Sequence, residues 1–248
     1  MKKLIFAAAA VAGMGAFALE SANIVGYSQK DFRKKYTLVV PEFDKVGATG
    51  IDLQSIKPVG IDMEDYGEGD INIQTFTDSA NKSEQFFWFD AEVSESGESG
   101  WHDSAGEELA EKTFTKGEGF MLYMPTADGK LNISGEVNLD EVTIPCRKKY
   151  TLMGNIRPTT VSIQNIVPTG IDMEDYGEGD INIQTFTDSA NKSEQFFWFD
   201  AEVSESGESG WHDSAGEELA TKEFAAGEGF MIYMPAAGGS LKYKAVTL

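Results

Sequence analysis

A direct internal repeat limits the folds available to this chain more than any other feature of its sequence. Residues 60–110 recur without a single substitution as residues 170–220, 110 positions later. A repeat of this length indicates two copies of one structural unit, which must be considered before any local pattern is interpreted. The identity of the two segments is also what a recent duplication would leave, so it carries no information about function by itself.

The amino terminus has the composition of a secretory signal peptide. Lys2 and Lys3 precede an apolar, alanine-rich run, and Ala16 and Ala18 form the small-x-small pattern of a cleavage site. A membrane anchor is the alternative, but the run is shorter than the roughly 20 apolar residues that a spanning helix needs. We therefore predict a signal peptide at residues 1–18 and an exported mature chain without a transmembrane segment. Its destination is the periplasm, the cell surface or the extracellular space.

The flanks of the repeat predict the fold class and the domain boundaries. Arg-Lys-Lys-Tyr-Thr-Leu occurs at residues 33–38 and again at 147–152, so the repeated unit is longer than its identical segment. Short β-prone runs alternate with turn-forming stretches, and no window shows the apolar spacing of an amphipathic helix. We predict an all-β protein with one β-sandwich or small barrel at residues 19–137 and a second at residues 138–248.

Two local patterns predict buried positions. The aromatic run Phe-Phe-Trp-Phe at residues 86–89 is typical of a strand that is buried on both faces. Cys146, the single cysteine, aligns with Phe32 in the first copy, and a position that accepts either residue is most simply apolar and buried. One cysteine also excludes an internal disulfide bond.

The negative charge of the chain is concentrated in the repeated segment. The formal net charge is −21, and each identical segment contains 14 acidic residues and one lysine. Such a charge repels nucleic acid and attracts cations or a basic protein partner. Solubility of an exported protein is the alternative explanation.

Several short motifs recur in the same order in both copies. In the first copy they are Tyr-Thr-Leu at 36–38, Gly-Trp at 100–101, Gly-Glu-Gly-Phe at 117–120 and Gly-Glu-Val at 135–137. The second copy has the first three at 150–152, 210–211 and 227–230 but lacks the closing Gly-Glu-Val. This order resembles exported bacterial proteins built from tandem β-repeats with a Gly-Glu-Gly-Phe turn and strand. The resemblance implies export and a β-repeat architecture, and it implies no activity.

Acidic residues around two glycines form a candidate cation site in each copy. They are Asp62, Glu64, Asp65, Glu68 and Asp70 in the first copy and Asp172, Glu174, Asp175, Glu178 and Asp180 in the second. Calcium takes six to eight oxygen ligands from a flexible loop, so calcium is the cofactor that these loops would suit. The spacing matches neither an EF-hand nor a glycine-rich nonapeptide repeat, and a solvated acidic turn is the alternative.

The segment Gly-Trp-His-Asp forms the second candidate site. Trp101, His102 and Asp103, with Trp211, His212 and Asp213 in the second copy, place an indole beside polar groups. An exposed indole next to a carboxylate can stack on a sugar and hydrogen-bond to it. The alternative is that each indole covers the core.

No catalytic motif of a known class is present. The sequence has two histidines, one in each copy, which gives no copy a two-histidine zinc site, and it contains neither a nucleophile elbow nor a phosphate loop. A glycosidase with two carboxylates stays open, because only the separation of the carboxylates is diagnostic. We predict a non-enzymatic structural or interaction protein of the cell surface or extracellular matrix, able to self-associate through sheet edges. Carbohydrate binding through Trp101 and Trp211 is the alternative function.

Overall fold

The computed structural model describes residues 25–31, 34–44, 50–76, 83–103, 106–126, 129–186, 193–213 and 216–246. The predicted signal peptide, residues 1–18, lies outside the described residues. The described residues form twenty β-strands and four helices of a single turn each, so the predicted all-β class is confirmed. No helix in this part of the chain has the length and apolar character needed to cross a membrane.

The two copies contain the same succession of strands. In the first copy the strands are β1 (Val25–Asp31), β2 (Lys35–Val39), β3 (Ile51–Asp52), β4 (Lys57–Val59), β5 (Glu68–Phe76), β6 (Ser83–Phe89), β7 (Gly100–His102), β8 (Thr113–Phe114), β9 (Phe120–Met124) and β10 (Lys130–Glu136). In the second copy they are β11 (Val142–Pro145), β12 (Lys149–Gly154), β13 (Val161–Ser162), β14 (Ile166–Thr169), β15 (Glu178–Phe186), β16 (Ser193–Phe199), β17 (Gly210–His212), β18 (Glu223–Phe224), β19 (Gly229–Met234) and β20 (Ser240–Tyr243). The single-turn α-helices Met63–Tyr66 and Met173–Tyr176 precede β5 and β15, and the 3-10 helices Leu53–Ser55 and Ile163–Asn165 precede β4 and β14.

Each copy pairs its strands into the same set of antiparallel sheets. In the first copy, one sheet has the order β2-β9-β5-β6-β7, a second has the order β1-β10-β4, and β3 pairs with β8. The second copy repeats this as β12-β19-β15-β16-β17, β11-β20-β14 and β13-β18. All of these pairings join strands of the same copy, and the predicted boundary between residues 137 and 138 falls in the connection between β10 and β11.

Alternation of side chains along the strands places the core. In β9, Phe120, Leu122 and Met124 have no exposed surface, whereas Met121 and Tyr123 point to the other face. The same alternation applies to β6, where Phe86 and Trp88 are buried and the two phenylalanines between and after them are half-exposed. The prediction that residues 86–89 are buried on both faces is therefore wrong, because only one face of this sheet packs on the core.

Consecutive strands link the two larger sheets of a copy. In the first copy β1 pairs with β10, while the strand that follows β1, β2, pairs with the strand that precedes β10, β9. Leu131 of β10 and Leu122 of β9 accordingly belong to the same core cluster. A separate sandwich or barrel in each copy is not confirmed, since the four larger sheets suggest a propeller-like arrangement of four blades.

The two copies meet through reciprocal contacts of equivalent residues. The Gly119 N–H donates to the Leu152 carbonyl over 3.0 Å, and the Val40 N–H donates to the Gly227 carbonyl over 3.3 Å. A Cβ at Gly119 would lie 3.1 Å from the Leu152 carbonyl oxygen, and one at Gly229 would lie 2.8 Å from the carbonyl oxygen of Leu38, the counterpart of Leu152. Val40 also belongs to the hydrophobic core of the second copy. Glycine at these positions lets the backbones of the two copies come together.

Candidate functional site

The two predicted ligand-binding tryptophans are core residues. Trp101 and Trp211 are 0% exposed, so the exposed indoles that sugar binding would need are not found, and the alternative, that each indole covers the core, is confirmed. Pairing of β7 with β6 places Trp101 opposite Trp88 on the inner face, with the two rings edge-on and 5.4 Å apart. The indole N–H of Trp101 donates to the Ile56 carbonyl over 2.6 Å. Because the polar atom finds a partner inside the protein, the whole side chain can be buried, and no ring surface is left for stacking on a sugar.

A glutamine fixes the backbone around each tryptophan. Gln54 Nε2 donates to the carbonyl oxygens of Trp101 and Ala110, over 2.7 and 3.0 Å, and Gln54 Oε1 accepts from the Trp101 N–H over 3.0 Å. Gln164 makes the same three bonds around Trp211. Gln-x-Ile-x-Pro occurs at residues 54–58 and again at 164–168. The clamp accounts for its glutamine, and the Ile56 carbonyl supplies the acceptor for the indole.

His102 lies on the other face of β7 and is fully buried by the turn that precedes the strand. Its Nδ1 lies 2.9 Å from the Gly100 carbonyl oxygen, and its Nε2 lies 2.9 Å from Ser96 Oγ. A carbonyl oxygen only accepts, so Nδ1 carries a proton, and in the neutral imidazole Nε2 accepts from the Ser96 hydroxyl. The ring of Phe89 packs edge-on against the imidazole. His212 repeats this geometry with Ser206 at 3.0 Å.

The serine–histidine distance is that of a nucleophile and its base, but the surroundings are those of a structural pair. In a hydrolytic triad a carboxylate orients the histidine, whereas here the partner of Nδ1 is a backbone carbonyl two residues away. Ser96 Oγ also accepts from the Glu98 N–H over 3.2 Å, and the imidazole has no exposed surface for a substrate to reach. The contact therefore holds the turn at residues 94–99 against the strand.

The predicted Gly-Trp-His-Asp site is not one surface. Successive residues of a strand point to opposite faces, so Trp101 enters the core while His102 lies beneath the turn. Asp103 is exposed beyond the strand, and its Oδ1 accepts from the Gly106 N–H over 3.2 Å. Asp213 makes the same bond with Gly216. Both aspartates close turns in the structure.

The predicted acidic loops surround the single-turn helices. Asp172 Oδ1 accepts from the Glu174 N–H over 3.0 Å and thereby caps the helix Met173–Tyr176. All five acidic residues of the second copy are exposed, as are Asp62, Asp65, Glu68 and Asp70 in the first; the side chain of Glu64 lies outside the described part of the chain. No three carboxylate, histidine or cysteine side chains in the described residues gather into a metal-binding group. Calcium binding stays a prediction.

A cleft that the sequence did not predict lies between the two copies. Its volume is about 620 Å³, and it is formed by the Gly-Glu-Gly turn of the first copy together with β11 and β12 of the second. Lys112 pairs with Glu118 at 2.9 Å and Lys116 with Asp44 at 2.6 Å, so these two lysines of the cleft are paired with neighbouring acids. The floor includes the apolar residues Ile144 and Leu152.

A row of outward-facing side chains crosses each five-stranded sheet. Strand register places Tyr36 beside Tyr123, Tyr123 beside Asn72, and Asn72 beside Phe87. We call these four residues, and Tyr150, Tyr233, Asn182 and Phe197 in the second copy, the aromatic stripe. The sequence signal for it was the alternation in β9, which marks Tyr123 as outward, but pairing across strands was needed to assemble the row.

Comparison of the chain with known protein families, characterised proteins and solved structures gives no significant match. The resemblance to exported tandem β-repeat proteins therefore stays a prediction, and the function must be argued from the geometry of this chain.

Proposed function

We propose that the chain is an exported, non-enzymatic structural or interaction protein of the cell surface or extracellular matrix, which presents the same acidic surface twice. The observation that carries this proposal is the duplication of contacts: the clamp of Gln54 and the turn over His102 recur atom for atom around Gln164 and His212. Two equal surfaces on one chain favour multivalent attachment, since the second binding event becomes intramolecular.

The strand pairings support a compact β unit at residues 19–137 and a second at 138–248. In each unit the three-stranded and five-stranded sheets contribute to one core, and two sheets that pack on a shared core are the feature that defines a β-sandwich. We therefore propose this finer architecture, in which the reciprocal contacts around Gly119 and Gly229 dock the units against each other.

We propose that the chain has no enzymatic activity because the histidine of each serine–histidine pair is buried and its Nδ1 contacts a backbone carbonyl instead of a carboxylate. A fluorophosphonate probe tests this directly, because it labels a serine only when a base activates the hydroxyl. We expect no labelling of Ser96 or Ser206 at neutral pH in the folded chain. Stoichiometric labelling that is lost in a His102→Ala/His212→Ala variant would show a hydrolase.

Export and cation dependence are tested on the full-length chain. In a bacterial host we expect the tagged protein outside the cytoplasm with Leu19 as its first residue, measured by fractionation and mass spectrometry. In the described residues each larger sheet ends in edge strands, and sheet edges can pair with another chain, although like charges oppose this at low ionic strength. Light scattering with and without calcium should show larger species with calcium. An unchanged size and melting temperature would remove cations from the proposal, and cytoplasmic retention would contradict export.

A further inference from the structure

The outer face of each five-stranded sheet has the chemistry of a ligand platform. Along the aromatic stripe, the rings of Tyr36 and Tyr123 lie 5.1 Å apart with their planes tilted by 60°, so the more exposed ring, Tyr36 at 44%, is the one that offers a face for stacking. Tyr150 and Tyr233 are also 5.1 Å apart, and Tyr150 is 48% exposed. Four neighbouring strands at about 4.8 Å spacing make a stripe about 14 Å long.

Side-chain amides accompany the rings. Gln74 Nε2 lies 3.2 Å from the Tyr36 hydroxyl oxygen and 3.5 Å from Asn72 Oδ1, so one amide connects two members of the aromatic stripe. Register places Gln85 directly beside Gln74 on the next strand. The surface thus combines apolar rings with uncharged donors and acceptors at the same level.

The internal comparison shows that the outward tyrosines recur in both copies. Tyr36 and Tyr123 lie outside residues 60–110, Tyr36 within the recurring Arg-Lys-Lys-Tyr-Thr-Leu, and Tyr150 and Tyr233 occupy the equivalent positions. In β9 and β19 the inward residue changes from Leu122 to Ile232 while the outward tyrosine is kept. A cross-strand pair contributes only about 0.2–1 kcal/mol and can be made by many β-forming residues. Sheet stability alone therefore gives little reason for a pair made of one exposed and one half-buried tyrosine in both copies.

We propose that the aromatic stripes bind an extended, neutral polysaccharide with β-1,4-linked, glucose-like rings. Equatorial substituents leave such rings with flat apolar faces that can stack on tyrosine, while their hydroxyl groups suit the amides of Asn72 and Gln74. A net charge of −21 disfavours an anionic polymer, and the side chains of the aromatic stripe are uncharged and offer a cationic polymer no ion pair, so we assign a neutral ligand. This inference rests on the proposed role as an exported interaction protein and names the class of its partner.

The test is calorimetric titration of the intact protein with cellohexaose, with cosedimentation on insoluble cellulose as a second readout. We expect two equivalent sites, one for each copy. Tyr36→Ala/Tyr150→Ala should weaken cellohexaose binding at least about tenfold, whereas Tyr36→Phe/Tyr150→Phe should keep most of it because the ring remains. Tyr27→Ala is the matched control, since Tyr27 is a tyrosine that is 64% exposed on the other sheet.

Variants with a substitution in one copy only distinguish the loss of one binding site from the loss of attachment through two sites. Tyr36→Ala alone should halve the number of cellohexaose sites and weaken retention on cellulose more than twofold, because attachment through two sites is lost. Circular dichroism and the melting temperature verify that each variant is folded. The proposal is overturned if cellohexaose does not bind, if polygalacturonate at low salt binds as well, or if Tyr27→Ala has the same effect. Export and the serine probe are measured independently, so failure here leaves the broader proposed function standing.

Discussion

Lys30 and Glu42 form a buried ion pair that the second copy does without. Lys30 Nζ lies 3.1 Å from Glu42 Oε1, and the carboxylate has no exposed surface. Burial lowers the pKa of Lys30, opposed in part by the charge of Glu42. The equivalent positions in the second copy hold Ile144 and Ile156, both in its core. The chain itself thus shows that an apolar pair fits the site.

This internal comparison predicts opposite results for single and double substitutions. Glu42→Ile alone should reduce the free energy of unfolding by about 3–5 kcal/mol, because it leaves the Lys30 charge buried without its partner. Lys30→Ile/Glu42→Ile should be neutral or stabilising, since two buried charges are replaced by apolar groups of suitable volume. Urea unfolding measures both. A double variant as unstable as the single one would contradict the argument.

Cys146 is confirmed as a buried, apolar position, with its Sγ 3.4 Å from Met153 Sδ. Burial raises the pKa of its thiol from 9.0 to about 12, because the thiolate is poorly solvated there. Only the thiolate reacts readily, so the folded protein should not react with a disulfide reagent at pH 8, whereas the urea-unfolded chain should.

The same shift predicts a pH dependence of stability. Between pH 9 and pH 12 the unfolded chain releases the thiol proton and the folded chain keeps it, so the stability present below pH 9 is lost as the pH rises. The loss is about 1.4 kcal/mol per pH unit within that window. A Cys146→Val variant lacks this contribution. Its free energy of unfolding, measured with urea, should therefore fall less steeply with pH between pH 9 and pH 10 than that of the unsubstituted protein. Equal slopes would show that the thiol does not titrate differently in the two states.

At the scale of elements, the sequence predicted strands well where apolar and polar residues alternate. In β9 the apolar residues Phe120, Leu122 and Met124 alternate with outward residues, and the strand ends before Pro125, which lacks a backbone donor. The run at residues 86–89 gave no alternation, since both of its faces carry aromatic residues; only pairing with β5 and β7 shows which face is inward. The sequence could not decide whether Trp101 is exposed or buried for a related reason: its partners Trp88 and Ile56 come from other parts of the chain.

The Gly-Glu-Gly turn is the element that contacts the other copy. Gly117 has a φ of +79°, and a Cβ there would lie 2.4 Å from Ile144 Cδ1 of the second copy. Gly97 has a similar φ of +71° in an exposed turn, with no atom within 4 Å of a Cβ. The two glycines therefore share a backbone conformation and differ in what surrounds it.

Alanine substitutions at Gly97 and Gly117 distinguish the cost of backbone strain from the cost of crowding by neighbouring atoms. Gly97→Ala should reduce the free energy of unfolding by about 1 kcal/mol, the cost of a left-handed conformation for alanine. Gly117→Ala should cost about 1–3 kcal/mol more, because overpacking against Ile144 must displace atoms of the other copy. Thermal or urea unfolding measures both variants. If the two cost the same, Gly117 is required for its φ alone and the contact between copies is loose.

At the scale of the molecule, the two copies behave in the structure as one docked pair. Val40 is buried in the core of the second copy, and the contacts at Gly119 and Gly229 are equivalent in the two directions. Sequence reasoning predicted two copies but not their docking, because the contacting residues are far apart in the chain and no periodic pattern connects them. The cleft beside Lys112 was missed for the same reason, since neither copy forms it alone.

Docking of this kind predicts that the copies stay together after the chain is cut. The connection from Asn138 onward is fixed to the second copy by Arg157, whose guanidinium donates to the carbonyl oxygens of Asn138 and Asp140, so a protease site is best inserted between Val137 and Asn138. After cleavage, size-exclusion chromatography in native buffer should show one species with the mass of the intact protein, and the two fragments should separate in urea. Adding Gly119→Ala and Gly229→Ala should weaken the association, because both Cβ atoms would meet the backbone of the other copy. Fragments that separate in native buffer without these changes would mean that the connecting peptide, and not the reciprocal interface, holds the two copies together.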